Sequence, residues 1–421
     1  MIGNKKVIYN NQKTNKKFLN IRNLGLFIIP HILLIQIVSA ATFYVSTNGS
    51  DFNNGSFKAP WRTIMYAVNN TRAGDIVLIR SGTYSPGGDG IYIRFDRGHG
   101  GALNAHWTLK AFPGETVFIK SRIIVEASFV RISGFHISGG NGIAIRCRDW
   151  GERRHRPKNV EILLNRFTGA GYRYGAIFCR ADDCLIAGNT INVNQSSTLD
   201  HGIYLAAGKN NVIRGNIIKK VYGYGIHVYD EEKNFDFDHS FSNILIENNL
   251  ITNSVKRCGI LIGNGAKVTI DKVIIRNNII VNNGNQADGI RIFNFGGLYI
   301  YHVRIYNNTI YNHLKAININ PKNGIINHVF IQNNIFSLSK AGHIQAHRIK
   351  DFTVDHNLYW QTEFIGKGVC DKHATLGNPL FANVKNNDFS LRKYSPAINA
   401  GVDVGLAYSG SAPDLGALEY E

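Results

Sequence analysis

Proline is scarce in this 421-residue chain, at 9 residues, and methionine scarcer still, at 2. Cysteine, at 5, is too thin over this length to form a disulfide framework. Acidic residues are in deficit: 29 Asp and Glu face 47 Lys and Arg, a formal charge of +18. Past the N-terminal stretch, no apolar run is long enough to span a membrane, and that stretch is itself short for one. No Gly-x-y period accompanies the 43 glycines, which excludes a collagen. What is present is a 44% hydrophobic fraction, which excludes intrinsic disorder, in a length ample for a full core. The excess of positive charge leaves nucleic acid or some other polyanion as partner.

The N-terminus accounts for part of that charge. Residues 1–23 carry Lys5, Lys6, Lys13, Lys16, Lys17 and Arg22 and no acid. An apolar run from Leu24 to Val38 follows and ends in Val38-Ser39-Ala40. A basic stretch, a short apolar stretch and small residues make the pattern of a secretory signal over 1–40, with an uncleaved anchor as the alternative. Its removal leaves 41 basic and 29 acidic residues, a charge of +12. Export argues against nucleic acid and for an acidic extracellular polymer, met by a secreted or periplasmic monomer.

Past residue 140 the chain repeats. Asparagines that open apolar steps fall at 165, 189, 216, 249, 278, 308, 334 and 357, spaced by 23 to 33 residues. A second column runs in phase: Gly142-Ile143, Ala176-Ile177, Gly202-Ile203, Gly225-Ile226, Gly259-Ile260, Gly289-Ile290 and Ala316-Ile317. Such a period means a solenoid. Alternation of period 2, as in Ile226-His227-Val228 and Ile290-Arg291-Ile292, makes the units strands rather than helices. Stacked in parallel, they form a coil with apolar side chains inside and asparagine at each corner, where it tolerates a left-handed backbone and can stack in a hydrogen-bonded ladder. Cys147 and Cys179 fall on inward positions as small hydrophobes. The expected class is all-β, with a capping helix over 61–72, where Trp61, Ile64, Met65, Ala67 and Val68 recur at helical spacing. Residues 41–100 then form the cap and first coils, 101–370 the solenoid and 371–421 the closing segment.

At its ends the chain resembles the right-handed parallel β-helix proteins of the pectate-lyase-like superfamily. The residues that carry the likeness are Phe43-Tyr44-Val45-Ser46, Asn48-Gly49-Ser50-Asp51, Pro60-Trp61-Arg62-Thr63-Ile64, Ala67, Ala73-Gly74-Asp75-Ile76-Val77 and Gly82-Thr83-Tyr84. Near the C-terminus they are Ser395-Pro396-Ala397-Ile398-Asn399-Ala400-Gly401 and Pro413-Asp414-Leu415-Gly416-Ala417. The resemblance covers 42–421 and implies a secreted protein acting on polysaccharides. It leaves the substrate open, because these segments close the helix and carry no chemistry.

Outward positions around the Gly-Ile column collect titratable groups. The position after Ile gives Tyr204, His227 and Arg291; its neighbours give His201, Tyr229, Arg146 and Arg180. Removing the proton next to a uronate carboxylate needs a cation, a base and a proton donor. Arg291 suits the first role, His201 or His227 the second, and Tyr204 or Tyr229 the third. Asp200-His201 resembles part of the Asp/His motif of the alginate epimerases, whose remainder is missing. The basic loop 146–158 offers Arg146, Arg148, Trp150, Arg153 and Arg154 to an anionic sugar. The family resemblance implies calcium as another neutraliser. The segment Asp230, Glu231, Asp236 and Asp238 supplies oxygen ligands for Ca²⁺, or is a solvated acidic loop.

The expected function is therefore lyase or C5-epimerase chemistry on a uronate polymer. An inverting hydrolase needs two carboxylates in register, and the outward columns do not offer them. A non-catalytic adhesin would leave the outer face without a base or acid.

Overall fold

The computed structural model describes residues 40–87, 90–138, 142–146, 155–169, 175–193, 197–230, 240–254, 256–265, 268–282, 287–296, 298–361 and 365–421. Residues 1–39, and with them almost all of the expected signal, lie outside that set. So do Cys147, Arg148, Trp150, Arg153, Arg154, Glu231, Asp236 and Asp238. No helix among the described residues is long and apolar enough to cross a membrane.

Each coil has three strands. The first begins with the Gly-Ile step, the second precedes the corner asparagine and the third follows it. The Gly-Ile sheet runs in parallel register from Ile91–Ile93 to Ile344–Ala346. The pre-asparagine strands run from Thr42–Val45 to Lys350–Asp355. The post-asparagine strands form a 12-stranded sheet from Gly82–Tyr84 to Thr375–Leu376.

The period-2 pattern explains the core. Ile203, Ile226, Ile260, Ile290 and Ile317 stack in one inward column and are completely buried, with Cys179 beside them. Each such side chain contributes about 1.5–3 kcal/mol by leaving water. The small residue before isoleucine has a steric cause. A methyl group on Gly202 would stand 2.5 Å from the Gly225 carbonyl oxygen of the next coil.

The asparagine ladder forms at all eight expected positions. Asn165, Asn189, Asn216, Asn249, Asn278, Asn308 and Asn334 each donate through Nδ2 to the Oδ1 of the next, ending at Asn357. The left-handed residue is not the ladder asparagine but the one before it: Gly188, Gly215, Asn248, Asn277, Asn307 and Asn333 all have positive φ.

The capping helix is Ile64–Asn70, shorter than the spacing predicts. Thr63 caps it by accepting from the Tyr66 amide, and Ile64, Ala67 and Val68 are its buried residues. At the other end, Phe381–Asn383 and Asp388–Leu391 pair antiparallel.

The Gly-Ile sheet shifts register after Cys179. Arg180 pairs with Ala207, not Ala206, because Ile203–Lys209 carries an extra residue. That long strand turns the corner without a break, and Gly208 and Lys209 pair with Phe241 and Ser242 of the pre-asparagine sheet.

Candidate functional site

Parallel register brings Tyr204, His227, Leu261, Arg291 and Asn318 into one outward column of the Gly-Ile sheet. Tyr204, Tyr224 and Tyr229 surround the His227 ring at centroid distances of 4.5, 4.5 and 5.1 Å. His201 lies against it at 4.4 Å. His201, Tyr204, His227 and Tyr229 are thus one cluster, with Tyr224 as a member the expected set lacked.

Both histidines are buried, and burial sets their charge. It lowers His201 to about 3, with the positive Arg257 adding to the effect. His227 is held well below its ordinary value by burial, then by His201 and Arg257. The Tyr224 amide donates to His201 Nδ1 at 3.1 Å, which leaves the ring proton on Nε2. Gly223 permits this approach, since a side chain there would begin 2.4 Å from Nδ1. Burial pushes the Tyr224 phenol up to about 12, so it keeps its proton.

Arg291 stands two strands from His227, about 10 Å at ordinary strand spacing. Its guanidinium lies 4.6 Å from the Phe293 ring centre. Asp288, on the same coil, is 6% exposed. Burial raises its pKa, against the Asn318 hydrogen bond and the charges of Lys315 and Arg291. Asn318 Nδ2 donates to Asp288 Oδ2 at 2.8 Å. Four buried atoms here lack any hydrogen-bond partner: His227 Nδ1, Asp288 Oδ1, Arg291 Nε and Asn318 Oδ1. Buried polar groups are nearly always paired, so these four unpaired atoms make this face the candidate site.

Asp288, Asn318, Arg257 and Tyr224 were outside the expected set. Asp288 and Tyr224 share the column of His201, so register alone could have found them. Asn318 is in the column of Arg291, whereas Arg257 carries no such signal.

The remaining expected residues divide. Arg146 Nη2 is paired with Glu126 Oε1 at 2.7 Å, so its charge is balanced within the protein. Arg180 covers the Phe178 ring at 5.6 Å. Arg122, Ile124, Ala144, Arg146 and Phe178 line a depression of about 110 Å³ on the same sheet. Two larger hollows, of about 590 and 600 Å³, lie beside the capping helix and on the pre-asparagine sheet, away from this chemistry. Of the expected calcium ligands, only Asp230 is described, and it is buried at its strand end.

The model of the family described as right handed beta helix region matches residues 66–272. The chain is a right-handed parallel β-helix. Within this β-helix, 86 residues are 37% identical to pectate lyase PEL9 of Emericella nidulans. That match covers 20% of this chain and only 20% of the relative's length. The structure of XylC in complex with xylose superposes with a TM-score of 0.52 at 11% identity, covering 81% of this chain and 87% of that one. The crystal structure of pectate lyase Pel9A gives 0.49 at 16% identity, covering 92% and 98%. Likeness at such identities concerns the fold.

Proposed function

We propose that this β-helix is an exported carbohydrate-active enzyme that removes the proton next to the carboxylate of a uronate polymer, as a lyase or C5-epimerase. The observation that carries the reading is the set of unpaired buried atoms on His227, Asp288, Arg291 and Asn318. The partial match to a pectate lyase supports the substrate class.

Arg291 meets the substrate carboxylate and spreads the charge that develops when the neighbouring C–H bond breaks. Asp288 takes the proton. Its raised pKa moves toward working pH, where a general base is most effective, whereas those of His201 and His227 move away. The two histidines enter the proposal as neutral hydrogen-bonding groups. In elimination, the electron pair of the broken C–H bond forms a C=C bond, and the C–O bond to the next sugar breaks. Tyr224, held protonated, supplies the proton to that oxygen, and Tyr204 and Tyr229 flank the ring. No step here uses calcium.

A hydrolase is disfavoured by spacing. Asp200 lies three strands from Asp288, roughly 14 Å, beyond the roughly 6.5–9.5 Å of inverting pairs.

Incubation with pectate, alginate and glycosaminoglycans tests the reading. The expected result is ultraviolet absorbance from an unsaturated uronate, or altered C5 configuration without cleavage. New reducing ends without absorbance indicate hydrolysis and contradict it. Binding without turnover contradicts it as well.

A further inference from the structure

At another corner of the coil, three metal-ligating side chains converge. Asp355 ends the strand Lys350–Asp355, and His356 follows it in the left-handed conformation. His373 returns from the closing segment. One ligand atom from each lies within 4.8 Å of the other two, the sole such group among the described residues. His373 Nδ1 is 2.7 Å from Asp355 Oδ1. His356 Nδ1 is 3.0 Å from Asp355 Oδ2, yet it is buried and has no aligned hydrogen-bond partner. The two rings are 4.5 Å apart.

The fold builds this arrangement. Asp371 takes the place of the next ladder asparagine. Its Oδ2 accepts from the Asn357 amide, from Asn357 Nδ2 at 2.9 Å and from the Tyr359 hydroxyl at 2.8 Å. This anchor holds the returning segment on the last coil and sets His373 opposite Asp355. Two other Asp–His pairs of the same sheet, Asp271–His302 and Asp351–His328, have no third ligand among the described residues.

We propose that Asp355, His356 and His373 bind a first-row divalent cation of the zinc class, which clamps the closing segment to the last coil. Two imidazole nitrogens and one carboxylate oxygen form a ligand set that zinc favours, at about 2.0–2.2 Å each, with water in the fourth position. Small side-chain rotations close the present spacing onto one ion. Because the ion joins residues 355–356 to 373, its binding also stabilises the fold.

The test is a Co²⁺ titration of the tag-free full chain, followed by Zn²⁺ displacement and thermal melting. One Co²⁺ per chain with the visible bands of tetrahedral cobalt is expected, with a higher midpoint in Zn²⁺. His373→Ala removes an exposed ring and Asp355→Asn a carboxylate oxygen. Each should weaken binding at least tenfold and abolish the zinc-dependent rise in midpoint. His302→Ala should change neither. Absence of binding by the unaltered chain overturns the proposal, as does unchanged affinity in both ligand variants.

Discussion

His201, Asp288 and Leu164 each sit where the fold overrides the side chain's ordinary preference. His201 is lowered to about 3, so between its ordinary value of 6.5 and about 3 the unfolded chain takes up a proton that the folded chain refuses. Stability is therefore intact above 6.5 and falls as pH drops through that window. Thermal midpoints measured across it should fall with pH, and less steeply in His201→Gln. Arg291→Ala should lower turnover on a uronate polymer by about 10²–10³-fold, the usual loss when a group that stabilises developing charge is removed. Leu164 occupies the left-handed position before ladder residue Asn165, with φ 56°, and its side chain is exposed. Relief of a strain of about 1–2 kcal/mol is at stake, so Leu164→Gly should raise stability in a urea titration.

The corner asparagines were legible from spacing because each repeats one backbone geometry. Asn278 shows why the type is required. Its Oδ1 accepts from the Asn249 amide and side chain, while its Nδ2 donates to Ile246 O, Arg276 O and Asn308 Oδ1. No other side chain meets these demands in that space. Asn278→Ala leaves several buried groups unpaired at about 1–3 kcal/mol each, and the denaturant midpoint should fall accordingly. Other features depended on tertiary information. The extra residue in Ile203–Lys209 shifts register without any local sign in the composition. Asp288 and Asn318 meet only because two strands pair in register, and His373 reaches Asp355 only after the closing segment folds back. The capping helix was visible as a periodicity, but its start is set by the Thr63 cap.

For the whole molecule, the charge excess gains a location. Arg257 stands beside the His–Tyr cluster, and Arg291 and Lys315 beside Asp288. An anionic polymer lying across this sheet would meet them in succession. Its affinity should fall as salt rises toward the range where exposed charges are screened, and binding measured over a salt series checks this. The proposed chemistry depends most on Asp288 as the proton acceptor on the Gly-Ile sheet. The direct measurement compares the initial rate of unsaturated-uronate formation or C5 inversion by the unaltered chain and by Asp288→Asn, on the polymer that the unaltered chain turns over. A fall of about 10²–10⁴-fold with polymer binding retained is expected. A variant that keeps the full rate would contradict it.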